Sequence, residues 1–152
     1  ARWPGHIKAG SVTDQTFCLT DLMATCAGIV GAKLPRNAAE DSFDFTSVLT
    51  GKQPESKPIR EFTLHQTISL ALAIRSGEFK YLDHRGSGGN NYNRPQLKRF
   101  QIKNNAPDAP GQLYNLKKDP GETTNLYFKH PEIVKKLKER LGELKKSGRS
   151  AP

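Results

Sequence analysis

Long apolar runs are missing from this chain of 152 residues. No stretch approaches the roughly 20 apolar residues that a membrane-spanning helix requires, so no membrane partner is expected. Cysteine is scarce, with Cys18 and Cys26 the only two. Two thiols make no disulfide framework, and these two have no metal-ligand spacing. Both fall on apolar positions of a predicted strand-helix unit and are expected to be buried. The four histidines, His6, His65, His84 and His130, are dispersed, and no pair shows the spacing of zinc ligands. The opening Ala1-Arg2-Trp3-Pro4-Gly5 has neither the charged start nor the apolar core of a signal peptide. It reads as the middle of a longer chain.

Acidic residues are outnumbered, and the formal net charge is +9. Eight Lys or Arg stand against three Glu between Lys129 and Arg149, so more than half of the excess sits at the end of the chain. A basic segment of this kind attracts polyanions, and a polyanion-binding module built on the C-terminal helix is the alternative function. A solvated helix face is the simpler reading. No aromatics are interleaved with the basic residues, which speaks against base stacking and so against nucleic acid.

What is present divides by periodicity. Residues 11–19 read as a short strand leading into a helix, with Thr20 as N-cap and Asp21 in the first turn. Leu19, Leu22, Met23, Cys26, Ile29 and Val30 follow helical spacing, and Gly31 is placed to end the helix in a left-handed conformation. Nothing in the first fifty residues supplies a sheet for this unit to pack on. Residues 51–60, with Pro54 and Pro58, read as a linker. From residue 61 the period changes to two. Phe62 and Leu64 alternate with polar neighbours, Ser76-Gly77 supplies a tight turn, and Phe79 and Tyr81 mark a return strand. After a loop of 28 residues from His84 to Gly111, Gln112–Leu116 forms a further strand. Pro131 suits the first helical position after His130, and Ile133, Val134, Leu137, Leu141 and Leu144 make one apolar stripe. The fold class is therefore α+β, an antiparallel sheet of about four strands covered by a C-terminal amphipathic helix. The divisions are 1–50 for the strand-helix part, 51–60 for the linker, 61–146 for the sheet and helix, and 147–152 for a flexible tail.

Several segments, in order, carry a resemblance: Leu19-Thr20-Asp21-Leu22-Met23-Ala24-Thr25, Ala39-Glu40-Asp41-Ser42, Leu49-Thr50-Gly51, Ala73-Ile74-Arg75-Ser76-Gly77, and Leu113-Tyr114-Asn115-Leu116 running into Asp119-Pro120-Gly121-Glu122-Thr123-Thr124-Asn125-Leu126. Together they resemble the distal portion of the type I sulfatases, above all bacterial arylsulfatases of the alkaline-phosphatase-like superfamily. The resemblance implies that residues 1–50 are the last strand-helix portion of a large α/β domain, with that N-terminal sulfatase domain as partner. It implies hydrolysis of sulfate esters on a small molecule or glycan, and a periplasmic or secreted bacterial location. It also implies calcium and a formylglycine in the full-length enzyme.

The family makes its formylglycine from Cys or Ser in a Cys/Ser-x-Pro-x-Arg motif. Cys18 is followed by Leu19-Thr20-Asp21 and Cys26 by Ala27-Gly28-Ile29, so neither cysteine qualifies. The Asp-Asn-Gly stretch of the calcium site is absent, and Asp41 with Asp44 is a poor substitute for several convergent oxygens. No catalytic or metal residue is therefore carried over, and the chain alone is expected to be inactive. A substrate-rim role remains. His65, His84, Asn90 and Asn91 are the candidate substrate-binding residues, donors suited to an anionic or sugar ligand. Arg75 and Lys80 read as surface strand charges.

Overall fold

A computed structural model describes residues 1–89 and 91–151 and divides them into two compact units. The first comprises 1–61 with the terminal segment from Leu144, and the second runs from Phe62 to Glu143.

The second unit is built on a four-stranded antiparallel meander of order β1-β2-β3-β4. Its strands are Thr63–Gln66 (β1), Leu72–Ser76 (β2), Phe79–Leu82 (β3) and Gln112–Asn115 (β4). Gly77, with φ +55°, makes the two-residue turn between β2 and β3 at low steric cost. Registered partners point to the same side of a sheet. Leu64, Ile74, Tyr81 and Leu113 pair in sequence across all four strands and form the apolar row, in which Ile74, Tyr81 and Leu113 are almost fully buried.

The last helix, Pro131–Ser147 (α4), buries Val134, Leu137 and Leu141. Two contacts show which side of the sheet it covers. The His130 ring meets Phe79 at 6.1 Å, and the Arg140 guanidinium lies 4.7 Å over Phe62. Phe62 and Phe79 stand on the side of Leu64 and Tyr81 by alternation, so the amphipathic stripe seals the apolar row. Burying one such leucine contributes on the order of 2 kcal/mol.

The opposite face carries Thr63, Arg75, Lys80 and Tyr114 in one row and His65, Ala73, Leu82 and Gln112 in the next. The connection from Leu116 to Leu126 folds back through its own side chains. Asp119 accepts the backbone N–H groups of Thr123 and Thr124, both at 2.8 Å, and the Thr123 hydroxyl at 2.9 Å. Those bonds, the two backbone ones foremost, hold its carboxyl below the usual range. The fingerprint Asp119–Asn125 is thus a loop-closing device.

The first unit is knit around a buried carboxylate. Asp21 is fully buried and accepts hydrogen bonds from Cys18 N–H at 2.8 Å, Phe43 N–H at 3.0 Å, and Arg60 Nε and Nη2 at 3.2 and 2.5 Å. Arg60 also donates to the Asp41 carbonyl at 2.7 Å and lies 4.4 Å over Phe43. A 3-10 turn, Leu19–Asp21, leads into helix Leu22–Val30 (α1), and a single helical turn, Thr46–Leu49 (α2), follows in the same unit. Thr25 links helix and loop, donating to the Asp21 carbonyl at 2.6 Å and accepting Phe45 N–H at 3.1 Å. Gly31 ends α1 at φ 68°, as its position after the apolar stripe predicts.

Several expectations need correction here. Residues 11–18 form no strand, because a strand exists only through a partner. Asp21, not Thr20, occupies the N-cap position of α1, and the Thr20 hydroxyl points instead to the Asp41 carbonyl. Cys26 is exposed and Cys18 half-buried, since the stripe that holds Cys26 also leaves Leu22, Met23 and Val30 open to solvent. Residues 51–60 lie inside the first unit, fastened by Arg60. The segment expected to be a free tail is held as well. Ser150 and Ala151 N–H groups bond the Glu40 carbonyl at 3.1 and 2.9 Å, and the Ser150 hydroxyl bonds Asp41 at 2.6 Å.

Candidate functional site

The polar face of the sheet floors an open groove of about 500 Å³ within the second unit. From the strands come His65, Lys80, Gln112 and Tyr114. Tyr92 and Lys103 come from the 84–111 loop, and Glu122 from the closing loop after β4.

The loop that walls the groove is tied down although it lacks periodicity. The buried Gln112 amide donates to the carbonyls of His84 and Gly86 at 3.1 and 2.7 Å, while its oxygen accepts the Tyr114 hydroxyl at 2.7 Å. Burial above all, and then the charges of Glu122 and Asp119, keep that hydroxyl protonated and able to donate. Ser69 in the β1-β2 turn donates to the Gly88 carbonyl at 2.7 Å, and Arg85 to the Asp108 carbonyl at 3.1 Å. Within the loop, Pro95–Lys98 (α3) makes one helical turn.

Charge on this face is unbalanced. Arg75 and Lys80 are direct cross-strand partners, a like-charge pair that costs a few tenths of a kcal/mol to about 1 kcal/mol. Lys80 is paired at 2.7 Å with Glu122, and Arg75 Nε donates to the Gly77 carbonyl at 3.3 Å. His65 sits on the same face. Packing beneath its ring, then Lys80 and Arg75, lower its pKa from 6.5, and Glu122 opposes them. The ring is therefore neutral at pH 7 and offers one donor and one acceptor nitrogen. Its more than one-third exposure leaves those charges partly screened by water.

Because folding favours the uncharged ring, the folded state binds fewer protons than the unfolded chain below pH 6.5. The stability contributed by neutral His65 is present above that value and is lost as pH falls through the lower folded pKa. The expected NMR titration of the His65 ring has a midpoint below 6.5. Lys80→Met should raise that midpoint and Glu122→Gln should lower it further. A midpoint at or above 6.5 would contradict the placement of these charges.

Of the four candidate binding residues, the structure brings two together. His65 from β1 and His84 from the loop entrance both line the groove. Asn91 is exposed and its amide oxygen accepts Asn93 N–H at 3.1 Å, which leaves it outside the lining. Asn90 lies outside the described residues. The sequence reading missed Tyr92, Lys103 and Glu122, and it took Lys80 for a plain surface charge. Parity alone would have found Lys80: counted through the Ser76-Gly77 turn, it shares a face with His65 and Arg75.

One sequence match also passed unnoticed. Ser56-Lys57-Pro58-Ile59-Arg60 fits the Cys/Ser-x-Pro-x-Arg pattern letter for letter. Its arginine is buried and committed to Asp21 and the Asp41 carbonyl, and Ser56 lies exposed in a polar turn. An arginine held in that way does not serve a neighbouring nucleophile. Among the described residues, no group of three or more His, Cys, Asp or Glu is arranged to hold a metal ion, and no helix is long and apolar enough to cross a membrane. Among the described residues, the side chains near Ser56 and the carboxylates do not fit the formylglycine and calcium that the family implies.

Comparison with known proteins places this arrangement. No family model matches the chain. It is 32% identical over 144 residues to an N-acetylgalactosamine-6-O-sulfatase of Bacteroides thetaiotaomicron, covering 95% of this chain and 26% of that protein. It is 33% identical over 146 residues to human arylsulfatase A, covering 91% of this chain and 28% of the relative. A solved structure from work on the metabolism of multiple glycosaminoglycans by Bacteroides thetaiotaomicron superposes with a TM-score of 0.74 at 30% identity, over 95% of this chain and 28% of that one. Another, solved in complex with its substrate D-glucosamine-2-N,6-O-disulfate, shares the fold with a TM-score of 0.63 at 20% identity, over 95% of this chain and 27% of that one. The chain thus spans about a quarter of the length of the relatives it matches.

Proposed function

Since the chain belongs to the sulfatase family and matches the family's C-terminal subdomain, we propose that it forms the substrate-facing rim of a sulfate-ester hydrolase rather than its reaction centre. One observation carries the reading. His65 and His84, from separate elements, converge on one accessible groove whose floor is the polar face of the sheet. The groove offers neutral imidazole, amide and phenol groups together with cations, a mixture suited to sugar hydroxyls and sulfate oxygens.

In this reading the formylglycine nucleophile and the calcium belong to the larger domain, and the isolated chain hydrolyses nothing. That domain also covers α1. Leu22, Met23, Cys26, Ile29 and Val30 share one stripe of the helix, each exposed in this chain, and a run of such residues marks a surface meant for a partner. The substrate is a sulfated glycan or a smaller sulfate ester. The groove, rather than an apolar slot, favours the glycan.

Kinetics of the complete enzyme carrying this chain test the proposal. His65→Ala is expected to raise KM for a sulfated oligosaccharide about tenfold, the worth of one hydrogen bond, with a smaller effect on a small aryl sulfate and little on kcat. Ser56→Ala is expected to leave turnover unchanged. Abolished turnover in Ser56→Ala would put the nucleophile in this chain and overturn the reading, as would an unaltered oligosaccharide KM in His65→Ala.

A further inference from the structure

We propose that the groove reads a second negative group of the substrate, a carboxylate or sulfate on a sugar unit other than the one that loses its sulfate, through Lys80 and Lys103. The inference rests on the rim reading and adds the chemistry of the occupant.

The argument begins with charge. Glu122 is the only carboxylate among the described groove-lining residues, against Lys80 and Lys103. Arg75 lies outside the lining but stands directly across from Lys80 on the same face of the sheet, so two cations are adjacent there and the groove wall adds Lys103. Glu122 balances one of them. Fold stability does not require this surplus, because like charges placed opposite one another in a sheet are destabilising. An anion seated over Lys80 offsets that repulsion and receives a charge-assisted hydrogen bond.

Lys103 points to a ligand more directly than the others. It is exposed, it lies in a segment of the loop without regular structure, and it makes no ion pair among the described residues. The bonds of Gln112 to the His84 and Gly86 carbonyls fix one end of that loop. Asn105 fixes the other, accepting Asn125 N–H at 2.7 Å and donating to the Asn125 carbonyl at 3.1 Å. Two residues away, Lys103 is held at the groove wall rather than left to drift in solvent.

The remaining lining supplies the sugar. Tyr92 is a half-buried aromatic at the edge of the groove, and sugar rings pack their C–H faces on such surfaces. Gln66 and Gln101 add amide donors and acceptors for hydroxyls. At about 500 Å³ the space lies within the range of roughly 300–1,000 Å³ typical of small-molecule sites. A single acidic sugar unit meets all of these features, whereas a bare anion would leave the tyrosine and the amides unused.

The test compares three substrates in the complete enzyme. All carry the same scissile sulfate on the same reacting sugar, and the neighbouring sugar is neutral in one, a uronate in the second and sulfated in the third. For Lys103→Glu, the preference for an acidic over the neutral substrate, taken as a ratio of kcat/KM values, is expected to fall about tenfold. The arm that falls further identifies carboxylate or sulfate as the natural group. Lys103 is exposed, so the variant should unfold at the wild-type temperature, and Lys103→Arg should restore most of the preference. An unchanged ratio in both acidic arms overturns the inference. If His65→Ala still raises the oligosaccharide KM in that case, the rim reading survives alone. If neither variant has an effect, both readings fall.

Discussion

Replacing Asp21 by alanine is expected to cost the chain about 3–5 kcal/mol of stability, because it strands a buried guanidinium. Asp21 and Arg60 are 0% and 3% exposed at their side chains and meet at 2.5 Å. The carboxylate also receives the backbone N–H groups of Cys18 and Phe43, so one substitution orphans a cation and two donors together. Arg60→Ala should cost a similar amount by leaving the carboxylate unpaired. In a chain of this size, such losses lower the melting temperature by roughly 10 °C. Trp3, the only tryptophan, lies in the first unit and reports its unfolding by fluorescence. The double variant Asp21→Leu with Arg60→Met should lose less than the two single losses combined, because an apolar pair needs no counter-charge. A loss below about 1 kcal/mol for Asp21→Ala would show that the pair does not organise this unit.

Asn125→Ala is the second large loss, expected at about 2–5 kcal/mol. Its side chain closes the fingerprint loop, with the oxygen accepting Leu113 and Tyr127 N–H groups, each at 3.0 Å, and the nitrogen donating to the Gly111 carbonyl at 3.3 Å. Leu113 is fully buried, so its N–H finds no water when the amide is removed. A buried donor left unmade costs roughly 1–3 kcal/mol. The neighbourhood does not close over the gap easily. A methyl group placed on Gly111 would already stand 2.7 Å from the Leu82 carbonyl, which shows how tightly the backbone is packed there. Asn105→Ala, at an exposed position that bonds only the Asn125 backbone, should cost about 1 kcal/mol or less. Urea unfolding of the two variants separates them. Equal losses would mean that the loop, rather than the buried amide, carries the effect.

How much of this was legible follows the range of each interaction. The meander could be read because alternation at Leu64, Ile74, Tyr81 and Leu113 is a local pattern that the sheet keeps without change. The C-terminal helix was equally plain, from Pro131 to the stripe ending at Leu144. The expected strand at 11–19 failed because extended propensity does not supply a pairing partner. The Asp21–Arg60 pair spans 39 residues, and nothing in either local sequence announces it. For the same reason Ser56–Arg60 imitates a catalytic motif on paper while its arginine serves the interior. Of the groove's lining, only His65 and His84 stood among the candidate residues. Tyr92, Lys103 and Glu122 reach it from loops whose course depends on the bonds of Gln112 and Asn105 and on the Asp119 turn, none of which has a period to detect.

The most direct measurement is the structure of the complete enzyme holding a sulfated oligosaccharide. A sugar unit in the groove, with polar contacts to His65 and a negative group within reach of Lys80 or Lys103, is the predicted result. A groove sealed by the larger domain while the whole ligand binds elsewhere would contradict it.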